Sequence, residues 1–158
     1  MKRTATLLAL LVAVALPLSK AYDVVPYKNF IGTQPQGRVG VTQYYRNTLD
    51  DITRVSVWVG DASNPAVFDV QIKDSVTGVV VAEKLGQAPG QSWSWLNFDL
   101  TPKPDKPVRG RTYKVVVTRP SGAPISFAYD TTNPYTYGCL LVGSIAHGYW
   151  DLAARITV

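Results

Sequence analysis

The chain has 158 residues, of which 46% are hydrophobic, and it carries 16 basic residues, 11 acidic residues and a single cysteine. This length suits one domain with one core, and one cysteine cannot form an intrachain disulfide. Three of the basic residues (Lys2, Arg3 and Lys20) lie in an N-terminal leader, which leaves 13 basic against 11 acidic residues and a net charge of +2. Nucleic-acid-binding proteins concentrate positive charge on one face, whereas the densest basic cluster here is interpreted as a solvated loop running into a strand, so we expect no nucleic-acid partner. Its members are Lys103, Lys106, Arg109, Arg111 and Lys114.

The leader has the pattern of a cleavable signal peptide. Lys2 and Arg3 precede an almost wholly apolar run over residues 5–18, which is short for a membrane span. Ser19-Lys20-Ala21 then resembles an A-x-A cleavage site. We therefore predict that residues 1–21 are a signal peptide and that the mature protein is secreted, periplasmic or at the cell surface, without a membrane span. The alternative is an uncleaved N-terminal anchor.

The mature chain is predicted to be all β. Residues 22–37 contain Pro26, Gly32 and Pro35 and show little periodicity, which indicates an extended N-terminal arm or an edge segment. Residues 38–158 alternate with period two and have turn residues every 8 to 12 positions, as in a sandwich or barrel. The predicted strands cover residues 38–45, 52–59, 67–73, 79–85, 93–100, 111–119, 124–129, 138–142 and 151–158.

The alternation also predicts which side chains form the core. Inward faces are expected for Val55, Val57 and Val59, for Phe68, Val70 and Ile72, and for Leu96, Phe98 and Leu100. No stretch of the mature chain has helical periodicity. We predict a two-sheet antiparallel β-sandwich of 8 to 9 strands, jelly-roll-like, over residues 38–158. A closed barrel is the alternative.

Three segments carry a family resemblance. They are WLNFDL from Trp95, GRTYKVVVT from Gly110, and the pair formed by Tyr129-Asp130 with Asn133-Pro134-Tyr135, closed by DLAAR from Asp151. Together they resemble a bacterial extracellular β-sandwich module of the carbohydrate-binding-module or galactose-binding-like type. The resemblance implies a jelly-roll framework and a binding role, and fold likeness alone does not fix a ligand.

The residues that could perform catalysis are few. His147 is the only histidine and is expected in an exposed loop, and no G-x-S-x-G motif accompanies it. Asp130 and Asp151 each border a predicted strand and could meet as an acid–base pair. Cys139 lies in an apolar setting and is expected to be buried. We therefore expect no enzymatic activity, with a carboxylate-dependent hydrolase as the least favoured alternative.

No cofactor is expected, and a structural calcium ion is the one metal that the sequence leaves open. Calcium accepts carboxylate and backbone oxygen ligands, and Asp61, Asp130 and Asp151 are the candidate ligands. Zinc is not expected, because one cysteine and one histidine are too few ligands.

Aromatic residues provide the functional hypothesis. Rings outside a core can stack on the C–H face of a sugar while a polar tip forms hydrogen bonds, and loops on rigid scaffolds often carry function. The predicted ligand-binding residues are Trp93, Trp95, Tyr129, Asp130, Asn133, Tyr135 and Tyr137.

The leading hypothesis is an exported, non-enzymatic protein that binds a glycan or another extracellular polymer. The alternative is a structural or adhesive component of the cell envelope or surface, which contacts a protein partner by strand addition at a sheet edge. For the tryptophans, a purely structural role in covering the sandwich is the competing interpretation.

Overall fold

A computed structural model describes residues 20–23, 29–32, 40–60, 66–87, 93–122 and 126–158. These residues form strands, turns and loops, and none of them forms a helix that could cross a membrane. The strands are β1 (Lys20–Asp23), β2 (Asn29–Gly32), β3 (Val41–Arg46), β4 (Arg54–Val59), β5 (Ala66–Asp74), β6 (Val80–Gln87), β7 (Ser94–Asp99), β8 (Thr101–Pro102), β9 (Thr112–Gly122), β10 (Ser126–Asp130), β11 (Leu140–Val142), β12 (Ile145–His147), β13 (Asp151–Leu152) and β14 (Ala154–Thr157).

The strands of the described residues form two antiparallel sheets. Sheet A has the order β1-β14-β4-β10-β13, with β7 also paired to β4 and β2 to β10. Sheet B has the order β12-β11-β3-β9-β5-β6-β8. The chain passes from sheet B to sheet A between β3 and β4 and returns at β5, and such crossings are repeated towards the C-terminus. The predicted two-sheet β-sandwich is therefore confirmed.

One apolar layer lies between the sheets. The predicted inward residues of β4, β5 and β7 are all buried, which confirms the period-two assignment. Phe68 of sheet B contacts two rings of sheet A edge-to-face, with centroids 6.5 Å from Phe98 and 6.0 Å from Phe127. This geometry is favoured between aromatic rings, so the three phenylalanines join the two sheets.

The described residues form more strands than the eight or nine predicted. β1, β2, β8 and β12 are short strands outside the predicted segments, and the predicted last strand is divided into β13 and β14. The predicted strand over residues 151–158 is interrupted at Ala153, whose N–H donates to the carbonyl of Ala128. After β11 the chain turns at Gly143, which has a φ of 60°, and continues into β12. His147 therefore lies in an edge strand and is half-buried, and the expectation of an exposed loop histidine was wrong.

The beginning of the described chain belongs to the sandwich. β1 pairs with β14, and the ring of Tyr22 is buried with its hydroxyl donating to the carbonyl of Leu152 at 2.5 Å. Lys20 and Ala21 are the first residues of β1. Residues 1–19 of the predicted signal peptide lie outside the described residues, as do 24–28 and 33–37 of the predicted arm, and cleavage after Ala21 stays a prediction.

Candidate functional site

An open cleft of about 470 Å³ lies between the end of β3 and the loop that precedes β9. This volume is within the usual range of small-molecule and sugar sites. Tyr135 and Tyr137, two of the predicted ligand-binding residues, lie in its wall. The full lining is Ala21, Arg46, Asn47, Thr48, Arg109, Gly110, Tyr135 and Tyr137.

Hydrogen bonds at both ends of the residue fix Tyr135. Its backbone N–H donates to Oδ2 of Asp151 at 2.9 Å. Its hydroxyl accepts from the backbone N–H of Arg46 at 2.8 Å and donates to the carbonyl of Arg46 at 3.2 Å. The ring also packs edge-to-face on the buried ring of Tyr22, with centroids 4.8 Å apart. Burial raises the pKa of Tyr135, so the hydroxyl stays protonated and able to donate.

The loop that carries the two tyrosines lies directly on β3. A Cβ atom at Gly138 would be only 1.9 Å from the carbonyl oxygen of Tyr44, so only glycine allows the two backbones to approach this closely. The backbone N–H of Tyr44 then donates to the carbonyl of Cys139 at 3.1 Å. This contact determines the position of Tyr137, the residue immediately before Gly138.

Tyr137 presents an open ring at the cleft. Its exposed fraction is 64%, and its ring packs against Tyr135 with centroids 5.9 Å apart at 67°. The guanidinium carbon of Arg46 lies 6.0 Å from the Tyr137 centroid, at the limit of a cation–π contact. The ring is therefore supported from the protein side and open to solvent.

The two arginines of the cleft differ in their partners. Arg109 forms two hydrogen bonds with Asp50, at 2.7 and 2.8 Å, and these hydrogen bonds lower the pKa of the Asp50 carboxyl. Among the described residues, no carboxylate lies within 4.0 Å of the Arg46 side chain. Arg46 therefore supplies a positive charge that the surrounding protein does not neutralise.

The structure does not bring Asp130 and Asn133 to the cleft surface. Asp130 is buried, and its Oδ1 accepts hydrogen bonds from the N–H and hydroxyl of Thr132. Oδ2 of Asp130 and Oδ1 of Asn133 are buried without a hydrogen-bond partner in the described part of the chain. Asn133 has a φ of 54°, a left-handed conformation that asparagine tolerates in tight loops. These oxygens are closed to solvent, and neither residue lines the cleft.

The two tryptophans of the predicted site lie at a different surface from the tyrosines. The Trp95 ring lies on sheet A, edge-to-face with Trp58 at 5.6 Å. The guanidinium of Arg155 lies 4.1 Å from the Trp95 centroid and covers one face of the ring. Trp93 precedes β7 and is 59% exposed. These positions separate Trp93 and Trp95 from the cleft lining.

Tyr129 belongs to a stack of three rings. Its centroid is 4.6 Å from that of Trp150, whose other contact is His147 at 3.9 Å and 6°. Trp150 therefore packs against both Tyr129 and His147. Tyr129 supports the closing strands of the sandwich and does not line the cleft.

Asp130 and Asp151 are brought together in register between β10 and β13, but both are buried. Oδ1 of Asp151 accepts from the Gln43 amide at 2.9 Å, and Oδ2 accepts from Tyr135. Burial raises the pKa of Asp151, and the charge of Asp130 raises it further. A polymer substrate would have no access to this pair.

The described residues contain no cluster of three His, Cys, Asp or Glu side chains that could hold a metal ion. Asp61, one of the three predicted calcium ligands, lies outside the described residues. The unpartnered oxygens of Asp130 and Asn133 have the chemistry of calcium ligands, whereas both oxygens of Asp151 already accept hydrogen bonds. The residues present therefore fit a calcium site only in part.

Cys139 is half-buried and unpaired in the structure, so the expectation of a buried thiol was too strong. The residue precedes β11 and does not lie inside a strand. Burial still raises the pKa of the thiol, with a further contribution from Asp151, so the unreactive protonated form is favoured.

Sequence analysis did not identify Arg46 and Arg109 as site residues. Arg46 is the last residue of β3, and Arg109 is part of a basic, proline-containing loop. Neither position differs from an ordinary surface arginine in its local sequence. Only the approach of the loop after β10 to the end of β3 brings them together with the tyrosines.

Comparisons with known proteins give a limited result. No protein-family model matches the chain. No curated protein sequence matches it. A similar solved structure contains the cysteine protease and lectin-like domains of Cwp84, a surface-layer-associated protein of Clostridium difficile. That structure is 13% identical with a TM-score of 0.43, and the match covers 83% of this chain and 36% of the other.

Proposed function

We propose that this is an exported, non-enzymatic binding protein that holds a glycan or another extracellular polymer in the cleft at Tyr135 and Tyr137. The supporting observation is the Tyr137 ring, which is 64% exposed and is packed against Tyr135 at the wall of an open cleft. An exposed ring that is held in one orientation can stack on a sugar without losing much conformational entropy on binding. The predicted signal peptide supports export to the periplasm, the cell surface or the medium.

Burial of the carboxylate pair supports a non-enzymatic role. Glycoside hydrolysis needs two carboxyl groups on either side of the scissile bond, within reach of substrate. Asp130 and Asp151 are both buried and hydrogen-bonded within the fold. In the part of the chain that the structure describes, the cleft lining contains two arginines and two tyrosines but no carboxylate.

The test is a binding survey with a matched pair of variants. Tyr137→Ala removes the exposed ring of the cleft, and Tyr149→Ala removes another exposed tyrosine, 76% accessible, that does not line it. Calorimetric titration against a panel of soluble polysaccharides should show binding by the wild-type protein. Loss of stacking should weaken binding about tenfold or more in Tyr137→Ala. Alanine substitution of a ring that stacks on a nucleic-acid base costs about 1–3 kcal/mol, and we expect a similar loss here.

Tyr149→Ala should bind like the wild type. A panel without any binder would contradict the proposed function. If Tyr137→Ala and the wild type bound a glycan with equal affinity, the binding site would not be this cleft.

A second candidate function is adhesion at the edge of sheet B. β12 is the last strand of that sheet in the described residues, and Ile145 and the nearby Tyr149 are 65% and 76% exposed. Exposed edge strands can pair with another chain. In this case the wild-type protein should associate with increasing concentration in sedimentation velocity, and Ile145→Lys should be monomeric. A wild-type protein that stays monomeric would contradict self-assembly through this edge.

A further inference from the structure

We propose that the ligand of the cleft is an anionic glycan, and that its carboxylate or sulfate group pairs with the guanidinium of Arg46. This inference rests on the proposed function and adds the chemical class of the ligand. It derives from the unpaired positive charge of Arg46. This observation is separate from the exposure of the Tyr137 ring, which supports the proposed function.

Arg46 has no carboxylate partner among the described residues, whereas four other arginines each have one. Arg54, Arg109, Arg111 and Arg155 each have a carboxylate within 4.0 Å, at distances of 2.7, 2.7, 3.6 and 2.9 Å. The Arg46 side chain instead lies near the Tyr137 ring and borders the cleft. A guanidinium group has five N–H donors in a rigid fork that matches the oxygens of a carboxylate. These donors are available to a ligand because no carboxylate of the described residues pairs with them.

The backbone of Arg46 is held in place before any ligand binds. Its N–H and its carbonyl are both hydrogen-bonded to the hydroxyl of Tyr135. The guanidinium lies beside Gly110, since a Cβ built there would be 3.9 Å from the Arg46 Nη2 atom, an ordinary contact distance. The side chain thus lies between the tyrosines and the Gly110 turn, where it can reach a sugar that stacks on Tyr137.

A uronic acid matches both features of the site. Its pyranose ring has a C–H face suited to stacking on the ring of Tyr137, and its carboxylate is the partner that the guanidinium of Arg46 lacks. A sulfated sugar provides the same anionic oxygens on a different atom. Arg109 contributes less charge, because Asp50 neutralises it with two hydrogen bonds, and Arg46 is therefore the residue that distinguishes acidic from neutral glycans.

The experiment compares acidic glycans with neutral glycans of the same backbone. Oligogalacturonate is titrated beside the same oligomer with methyl-esterified carboxyl groups, and dextran sulfate beside dextran. The proteins are the wild type, Arg46→Gln, Arg46→Lys and Arg54→Gln. Arg54 is exposed and lies outside the cleft lining, so its variant matches the charge change of Arg46→Gln and controls for non-specific attraction.

We expect the wild type to bind the acidic form of at least one pair about tenfold or more tightly than the neutral form, and Arg46→Gln to lose this preference. Arg46→Lys should retain part of the preference, because lysine keeps the charge but lacks the planar fork. Arg54→Gln should bind like the wild type. A preference for oligogalacturonate over its methyl ester would identify a carboxylate as the recognised group. A preference for dextran sulfate over dextran would identify a sulfate.

Equal binding of acidic and neutral forms by the wild type would overturn the inference while the proposed function stands. An equal loss in Arg54→Gln and Arg46→Gln would assign the preference to overall charge and would also overturn it. If the wild type binds no glycan of either charge, the proposed function and the inference that rests on it both fail.

Discussion

At the scale of single residues, Gly138 allows the cleft to form. Alanine at this position would place its Cβ 1.9 Å from the Tyr44 carbonyl oxygen, and the neighbouring atom is backbone that cannot rotate away. We expect Gly138→Ala to lower the free energy of unfolding by about 1–3 kcal/mol, the usual effect of overpacking, and to displace Tyr137. Urea denaturation measures the first effect and glycan titration the second.

The matched control is Gly148→Ala. No atom lies within 4 Å of a Cβ added at Gly148, so this variant should unfold within about 0.5 kcal/mol of the wild type. Equal stability of the two variants would mean that the loop does not lie on β3 as described.

Asp151 gives a prediction about pH. Burial raises its pKa above the ordinary value of 3.8, and the charge of Asp130 adds to the shift. The folded protein therefore binds the Asp151 proton more tightly than the unfolded chain, so the stability that this proton contributes is full below the unfolded pKa and is lost as pH rises through the folded pKa. We expect the stability of the wild type relative to Asp151→Asn to fall as the pH rises above the ordinary carboxyl pKa of 3.8. Urea midpoints at a series of pH values measure it.

The same series tests the calcium hypothesis. A calcium ion beside Asp130 would favour the charged carboxylates, so the relative stability of the wild type would rise with pH in calcium and fall in EDTA. A constant difference between wild type and Asp151→Asn in both conditions would contradict the raised pKa and the calcium site together.

At the scale of elements, β1 connects the beginning of the described chain to the site. Tyr22 packs against Tyr135, and its hydroxyl donates to the buried Leu152 carbonyl. Tyr22→Phe leaves that carbonyl without its partner and should lower the free energy of unfolding by about 1–2 kcal/mol. Tyr22→Ala also removes the ring and should cost about 3–5 kcal/mol.

Thermal unfolding of both variants measures the two contributions. The result would be contradicted if Tyr22→Ala were as stable as the wild type, because β1 would then not belong to the folded unit. Since Tyr22 follows the predicted cleavage site directly, N-terminal sequencing of the exported protein should also find Tyr22 as its first residue.

The alternation of side chains was sufficient to predict the core strands. β4, β5 and β7 each bury every second residue against one face, so a period of two identifies them without any knowledge of their partners. The short strands β1, β8, β12 and β13 have two to four residues. Such segments are too short to show a period, and their existence depends on the strand beside them.

The candidate site could be predicted only in part, for a related reason. A polar loop with two tyrosines is visible in the sequence, and Tyr135 and Tyr137 do meet at one cleft. Asp130 and Asn133 have the same local features, but each has a buried side-chain oxygen and neither lines the cleft. The importance of Arg46 depends on which carboxylates are near it in space, and this pairing is not encoded in its sequence neighbours.

At the scale of the whole molecule, both sheets depend on a single core. Phe98 is fully buried on sheet A and packs edge-to-face against Phe68 of sheet B. With one cysteine the chain has no intrachain disulfide to stabilise either sheet separately. The sheets should therefore unfold together.

Phe98→Ala tests this shared core. Removal of a buried ring should lower the free energy of unfolding by about 3–5 kcal/mol, whereas Leu85→Ala, at a 53% exposed position of β6, should lower it by less than about 1 kcal/mol. Urea unfolding is followed by circular dichroism for all strands and by tryptophan fluorescence, to which Trp58 and Trp95 of sheet A contribute. Coincident transitions that shift together in Phe98→Ala indicate one cooperative unit. Separate transitions would mean that sheet B can persist without sheet A. The cleft, whose wall combines the end of β3 in sheet B with the loop that follows β10 of sheet A, would then not be a rigid site.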